Sequence, residues 1–334
     1  MYYIIDKSTD PQWNLAAEEY LFKKFKEPIF RLWQNGNSII VGHHQNAFAE
    51  INVEYVLENK IPVVRRLTGG GAVFHDMGNV NFTFIDNIEE NEESSAMFAR
   101  FTRPIIDALR KLGVEAYLEG RNDLLIDGKK FSGNAVARYK NRVLQHGTLL
   151  FSSSIANMSN ALASRPEKFI GKSVQSNRSR VTNIEEHLKA PMTIQEFIDF
   201  LHNEIAGKEN SGYNLYSYSK EDIEAIEKLY NERYSRDSWN YGNSPKYQYS
   251  KVKKFPAGLV ELYFEVDKGI ITDIKIYGDY FFNKETPELE NFIRGSRHTH
   301  KSLEELIKKI NLSDYISNIE GEEFLSMFWD YHPD

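Results

Sequence analysis

Arg65-Arg66-Leu67-Thr68-Gly69-Gly70-Gly71-Ala72-Val73-Phe74-His75-Asp76 sets three consecutive glycines between two short apolar runs. Upstream, Ile61-Pro62-Val63-Val64 reads as a strand. Downstream, Ala72-Val73-Phe74 is strand-like and leads through Gly78 into the alternating run Val80-Asn81-Phe82-Thr83-Phe84. The glycines therefore join strand to strand, where a missing Cβ lets main-chain N–H groups approach a ligand closely. Two arginines precede them, one on each face of the strand, so at least one cation is expected near that ligand. An anion against glycine backbone beside an arginine is one reading, and a plain glycine-rich hairpin corner is the other. The paired arginines and the following His75-Asp76 favour the anion. No Lys-Ser/Thr pair follows the glycines and no GxGxxG opens a helix, so neither a Walker loop nor a dinucleotide fingerprint is present.

Arg121-Asn122-Asp123-Leu124-Leu125-Ile126-Asp127-Gly128-Lys129-Lys130-Phe131-Ser132-Gly133-Asn134-Ala135 is a second dense patch. A two-residue type I′ turn at Asp127-Gly128 pairs Ile126 with Lys129, Leu125 with Lys130 and Asp123 with Ser132. Lys130, Ser132, Asp123 and Leu125 then share one face, and Lys129 points away. A Lys-Lys pair beside a turn is ordinarily solvated surface. A carboxylate, an amide and a lysine converging beside Ser-Gly-Asn is rarer. There Asp123 is able to hold Mg²⁺ on a polyphosphate while the lysine stabilises charge. His146-Gly147-Thr148 lies on the next strand, and a lone histidine is more often structural than catalytic. His75 would fix its loop as readily as touch a ligand. His298 and His300 read as solvated surface. No two histidines have helical metal-ligand spacing, so no transition-metal site is expected.

The chain has 334 residues, 41 basic against 48 acidic, and a net charge of −7. That is room for one large and one small domain, and the balance offers no basic excess for nucleic acid. No apolar run is long enough to cross a bilayer, and Met1-Tyr2-Tyr3-Ile4-Ile5-Asp6 reads as a strand rather than a signal peptide. A cytoplasmic monomer with no membrane or nucleic-acid partner is expected. Cysteine is absent, which excludes disulfides, thiolate metal sites and a cysteine acyl-enzyme.

Along the chain, a helix is expected from about Leu15 to Lys26. Strands at Arg31–Trp33 and Ser38–Val41 are expected to join through an Asn35-Gly36 turn. A further helix from about Ser95 to Leu112 should kink or split at Pro104. Hairpins fill Val114 to Phe151, and the chain is then mostly helical and polar to about Asn243. A catalytic domain is expected over 1–244, a linker over 245–253, and an α+β domain over 254–334 built on a 259–277 hairpin. The fold class is α+β: a mixed or antiparallel sheet core flanked by helices, because tight turns rather than helical crossovers connect the strands.

At these patches the sequence resembles the lipoate–protein ligases of the two-domain kind. The matching segments are Arg65 to Asp76, Gly120-Arg121-Asn122-Asp123-Leu124-Leu125, Lys130-Phe131-Ser132-Gly133-Asn134-Ala135, His146-Gly147-Thr148-Leu149-Leu150 and Arg178-Ser179-Arg180-Val181-Thr182-Asn183. Trp239-Asn240-Tyr241-Gly242 and the 259–282 hairpin match the family's linker and accessory domain. The resemblance implies a fold shared with biotin ligases and class II tRNA synthetase cores. It also implies a two-step reaction, in which lipoate and MgATP give lipoyl-AMP and the lipoyl group then passes to an acceptor lysine. The acceptor would be a lipoyl domain or a glycine-cleavage H protein, and octanoate is a possible second acid.

Carried over by position, Lys130 would be catalytic, touching both the lipoate carboxylate and the α-phosphate. Arg66, Gly71, Ala72, Val73, Phe74, Asn122, Asp123 and Lys130 would hold ATP or the adenylate. Gly69, Gly70, His75, Lys130 and His146 would hold lipoate, and Asp123 would bind Mg²⁺. The polar segment from Gly171 to Asn183 would cover the adenylate. A lipoyl or octanoyl transferase would need a cysteine, and a biotin ligase would need a GRGRxGR loop; neither occurs. A non-catalytic binder on the same fold is disfavoured by intact Lys130, Asp123 and Arg66.

Overall fold

The computed structural model describes residues 1–88, 94–120, 122–162, 181–207, 214–242, 249–267 and 269–329. Its central sheet holds β1 (Tyr2–Ile5), β2 (Ile29–Trp33), β6 (Asn79–Asn87), β7 (Ala116–Glu119), β8 (Asp123–Ile126), β9 (Lys129–Tyr139), β10 (Arg142–Leu150) and β11 (Asn214–Leu215). These eight lie in the order β11-β1-β2-β6-β10-β9-β8-β7. β1 runs parallel to both neighbours and the other pairs are antiparallel, so the sheet is mixed. A second sheet, β4-β3-β5, is made of β3 (Ser38–Val41), β4 (Val63–Arg65) and β5 (Val73–His75). The third, β12 (Tyr249–Phe255), β13 (Gly258–Asp267) and β14 (Ile270–Gly278), is antiparallel throughout. The helices are α1 (Pro11–Lys24), α2 (Ala47–Glu50), α3 (Val53–Glu58), α4 (Ser94–Lys111), α5 (Ile155–Ala161), α6 (Ile194–Ala206), α7 (Lys220–Leu229), α8 (Asp237–Asn240), α9 (Thr286–Ile293), α10 (His300–Ile307) and α11 (Gly321–Leu325).

Strand alternation decides which layer covers each face. Phe82 and Phe84 of β6 join Leu149 and Phe131 under Phe101, Ile105 and Leu109 of α4 and Phe197 and Leu201 of α6. Ile85, one position on, joins Leu144 and Ile29 against Leu21 and Phe22 of α1. Pro11 stands at the first turn of α1, and the Asp10 side chain accepts from the N–H groups of Gln12 and Trp13. Such a cap contributes about 1 kcal/mol. Buried Arg31 donates to Asp6 and to the main chain and side chain of Asn14, which fixes α1 against β2.

Asp127 and Gly128 have φ of 49° and 75°, the left-handed pair that a type I′ turn requires. Asn35-Gly36 connects β2 and β3 as expected, and the two strands enter different sheets. Other expectations are corrected. Asp123 pairs with Gly133 rather than Ser132, because the register shifts beyond Leu124 and Phe131 is the extra residue. Of the two outcomes expected at Pro104, the split does not occur: α4 continues as one helix through it. Phe101, Ile105 and Leu109 hold it against the sheet on both sides of the proline, and the Thr102 hydroxyl donates to Phe98 O. Finally, Tyr249 to Lys253, read as linker, are paired residues of β12.

The β12–β14 unit has its own core with α9, α10 and α11, and it seats directly on the glycine segment. Gly278 N donates to His44 O at 2.8 Å, and the Tyr280 ring stacks on His44. A Cβ added at Gly69 would stand 2.3 Å from the Tyr280 carbonyl oxygen. Gly69 is thus a notch for the other domain's main chain.

Candidate active site

The glycine segment, the β8–β9 hairpin and β10 meet around a cavity of about 140 Å³. Leu15 of α1, Trp33 of β2 and Ile40 of β3 belong to one apolar cluster and give it a greasy wall. Arg66, Asn122, Lys130 and Asn134 line it as well, with Gly70, Gly71, Ala72, Val73, His75 and His146. Gly70 has φ +88°, a conformation that L side chains rarely adopt. Of the expected residues, Gly69 faces Tyr280 instead, and Phe74 packs with Ile39, Val41 and Val63 behind β5. Gly171 to Arg180 of the expected cover, and Arg121, lie outside the described residues.

Arg66 is buried and its donors are committed to its own loop. Nε reaches Thr68 Oγ1 at 2.8 Å, Nη2 reaches Gly69 O at 2.7 Å and Gly71 O at 2.8 Å, and Nη1 reaches Ile40 O at 3.1 Å. It braces the glycines and sets a charge behind them. Burial pushes its guanidinium down to about 10, still charged at neutral pH. Arg65 points the other way, to the carbonyls of Gly42, His43, Gln45, Trp239 and Asn240. The paired arginines thus brace the main chain, and of the two it is Arg66 that also lines the cavity.

Lys130 is the exposed cation. Its Nζ lies 2.7 Å from Asp123 Oδ1, with side chains 41% and 39% exposed. The bulge at Phe131 leaves Lys130 facing Asp123 across the hairpin even though the Ser132 register has moved. Asn122 Nδ2 donates to Asn134 O, and Asn134 N donates to Asn122 O. The Lys130 carbonyl accepts from Thr182 N at 3.0 Å, anchoring the far end of the segment expected to cover the site.

A buried relay lies beneath. His146 Nδ1 is 2.9 Å from Glu18 Oε2, and its Nε2 is 2.8 Å from Thr68 Oγ1. A carboxylate only accepts, so Nδ1 carries a hydrogen. Glu18 also accepts from Thr83 Oγ1, which takes the Trp33 indole N–H. Sequence reading passed over Leu15, Glu18, Trp33 and Asn134. The signal for Glu18 was an acidic pair, Glu18-Glu19, inside the otherwise apolar stripe of α1.

Orphaned polar atoms mark where a ligand belongs. Asn14 Nδ2 donates to Asn35 Oδ1, so Asn35 Nδ2 is the group that donates to His75 Nδ1. His75 Nε2 therefore carries the hydrogen, and it has no partner. Asn81 Nδ2 and Asn134 Oδ1 are likewise buried without partners, and all three residues line the cavity. Leaving such groups unmet costs about 1–3 kcal/mol each, so a polar ligand atom gains by meeting them.

Burial, with help from the Arg66 and His146 charges, pushes His75 down to about 3. The unfolded chain, with its histidine near 6.5, then binds the proton more readily than the folded one. Stability from this residue is present above about pH 6.5 and is lost as pH falls towards about 3. His75→Gln is expected to flatten the decline of the urea midpoint between pH 7 and pH 4. Parallel declines in the two proteins would contradict the assignment.

The arrangement is that of a site for a ligand with an apolar tail and an anionic head, on a mixed-sheet scaffold. Residues 10–206 match the family model of the lipoyl protein ligase A/B catalytic domain, and residues 244–328 match that of the bacterial lipoate protein ligase C-terminus. The lipoate–protein ligase LplJ of Bacillus subtilis is 43% identical over 324 residues, covering 96% of this chain and 97% of its own. Lipoate–protein ligase 1 of Staphylococcus aureus is 41% identical, covering 96% and 97%. Among solved structures, P. falciparum LipL1 in complex with lipoate has a TM-score of 0.79 at 28% identity, covering 97% of each chain. A lipoate–protein ligase A bound with ATP has a TM-score of 0.63 at 25% identity, covering 72% and 98%. A bipartite ligase of Thermoplasma acidophilum, studied with its E2 lipoyl domain, has a TM-score of 0.65 at 27% identity, covering 74% and 98%. This chain belongs to the lipoate–protein ligase family.

Proposed function

We propose that this protein is an ATP-dependent lipoate–protein ligase, which activates free lipoate to lipoyl-AMP and passes the lipoyl group to a lysine of an acceptor protein. The observation that carries this reading is one cavity holding a greasy wall, an exposed ammonium and orphaned buried donors. A carboxylate attacking phosphorus brings two anions together. Lys130 Nζ offsets that repulsion from the open side, and Arg66 adds charge from behind the loop without leaving its carbonyls. The main chain at Gly70, Gly71, Ala72 and Val73 approaches the adenylate, with Asn122 beside the phosphates. His75 Nε2–H, with His146 and the Trp33 wall, receives lipoate.

The Mg²⁺ of MgATP fits one carboxylate plus phosphate oxygens. Asp123, held beside the cavity-lining Lys130, would be that carboxylate. Bound there, the ion would neutralise charge on the leaving pyrophosphate. In the second step Lys130 remains next to the acyl carbonyl, while the acceptor amine attacks and AMP leaves.

Acceptors of lipoyl-domain type fit the family, and lipoyl domains or a glycine-cleavage H protein are the proposed partners, with octanoate as an alternative acid. The proposed organisation is a catalytic domain up to about residue 244 and an accessory domain that begins with β12, working as a cytoplasmic monomer. Among the described residues no helix is long and apolar enough to cross a membrane. The test is incubation with ATP, lipoate and apo-acceptors, each then weighed, beside lipoate-dependent ATP–pyrophosphate exchange. Exchange with a lipoyl mass gain on at least one acceptor is expected. Absence of exchange would end the proposal.

A further inference from the structure

His43 and His44 follow β3 directly and turn their side chains towards the C-terminal domain. The loop is pinned from both sides: Arg65 Nη1 donates to the carbonyls of Gly42, His43 and Gln45, and Gly278 N donates to His44 O. Across the domain boundary, Glu285 Oε2 lies 2.8 Å from His43 Nε2. One nitrogen of each ring and one Glu285 oxygen all lie within 4.8 Å of one another. Phe282 stacks on His43 and meets His44 edge-on, Tyr280 stacks on His44, and Trp239 closes the side of His43. Glu285 leaves one side open, its side chain being 56% exposed.

Three electron-pair donors converge here. His43 Nδ1 is buried without a partner. Two imidazoles with a carboxylate form a donor set suited to zinc.

We propose that His43, His44 and Glu285 bind one divalent transition-metal ion of the Zn²⁺ type across the two domains, with water completing the coordination on the open side. A tetrahedral site needs ligand atoms about 3.4 Å apart. Closing the set to that spacing would require the exposed Glu285 carboxylate to rotate and the His44 ring to leave its contact with Thr286 Oγ1. Mg²⁺ is unsuited, because it takes octahedral oxygen ligands and keeps its waters. The site stands apart from the cavity above and does not depend on the reaction proposed there. It departs from the expectation of no transition-metal site, since spacing along the chain does not reveal a third ligand 242 positions away in sequence.

The test titrates the purified full-length protein with Zn²⁺ against a chromogenic chelator, in the presence of excess Mg²⁺. One saturable equivalent is expected, with affinity about tenfold or more weaker in Glu285→Gln and in His43→Ala. Glu285→Gln is isosteric at an exposed position, so it keeps the fold should His43→Ala lose it. Co²⁺ should give visible tetrahedral absorption in the wild type that Glu285→Gln abolishes. A His298→Ala/His300→Ala variant should bind like the wild type. Wild-type affinity in Glu285→Gln, loss of the site in the double variant, or no saturable Zn²⁺ binding would overturn the proposal.

Discussion

Replacing Lys130 by alanine is expected to lower lipoate-dependent ATP–pyrophosphate exchange by about 10²–10³-fold, with little change in stability. The side chain is 41% exposed and pairs with an exposed carboxylate, an interaction that contributes about 0.2–1 kcal/mol. No buried partner is orphaned. The main-chain bond from Thr182 N to the Lys130 carbonyl, and the bridge between Lys130 and Val181, do not use the side chain. The substitution therefore removes a charge and leaves the local backbone in place. Lys130→Arg keeps the charge but changes its reach and geometry, and should recover substrate binding better than rate. Wild-type exchange in Lys130→Ala would remove this residue from the mechanism.

Glu18→Ala should act in the opposite way, on the fold before the chemistry. Glu18 is 2% exposed and accepts from His146 and Thr83. Removing one partner of a buried pair costs about 3–5 kcal/mol, read as a fall in urea midpoint at neutral pH. Glu18→Gln keeps the volume and one acceptor and should cost less. Burial raises the Glu18 carboxyl, but the His146 charge and hydrogen bond, Arg31 and Thr83 outweigh it and the net shift is downward. Its contribution is therefore present above the unfolded carboxyl pKa and is lost as pH falls through the folded one. The deficit of Glu18→Ala should narrow in acid. A deficit under about 1 kcal/mol at pH 7 would show that the pair is worth no more than a surface contact.

What the sequence disclosed followed from local chemistry. Asp127-Gly128 demands two left-handed residues, so the hairpin carrying Asp123 and Lys130 was readable from the turn alone. The glycine triplet between short apolar strands was equally plain. The bulge at Phe131 was not, because one extra residue in a strand leaves no mark in an alternating pattern. Asn35-Gly36 was readable as the link between two strands, but that β2 and β3 diverge into separate sheets is a choice made by tertiary packing. The greasy wall was hidden for a different reason. Leu15, Trp33 and Ile40 fit the periodicity of ordinary core positions, and nothing local separates a residue that borders a cavity from one that fills a core. Arg66 was placed correctly beside the glycines. Its commitment to their carbonyls depends on the loop's path, which no spacing encodes.

The Gly69 notch has a bearing on how sequence variation in this protein should be interpreted. The Tyr280 carbonyl rests where a methyl group would otherwise sit, two residues from Gly71 on the cavity wall. Small displacements of the β14–α9 connection will therefore be felt by the loop that faces the substrates. Substitutions near Tyr280 and Phe281, remote from the reacting atoms in sequence, are positioned to change turnover in the manner of changes made in the glycine triplet itself.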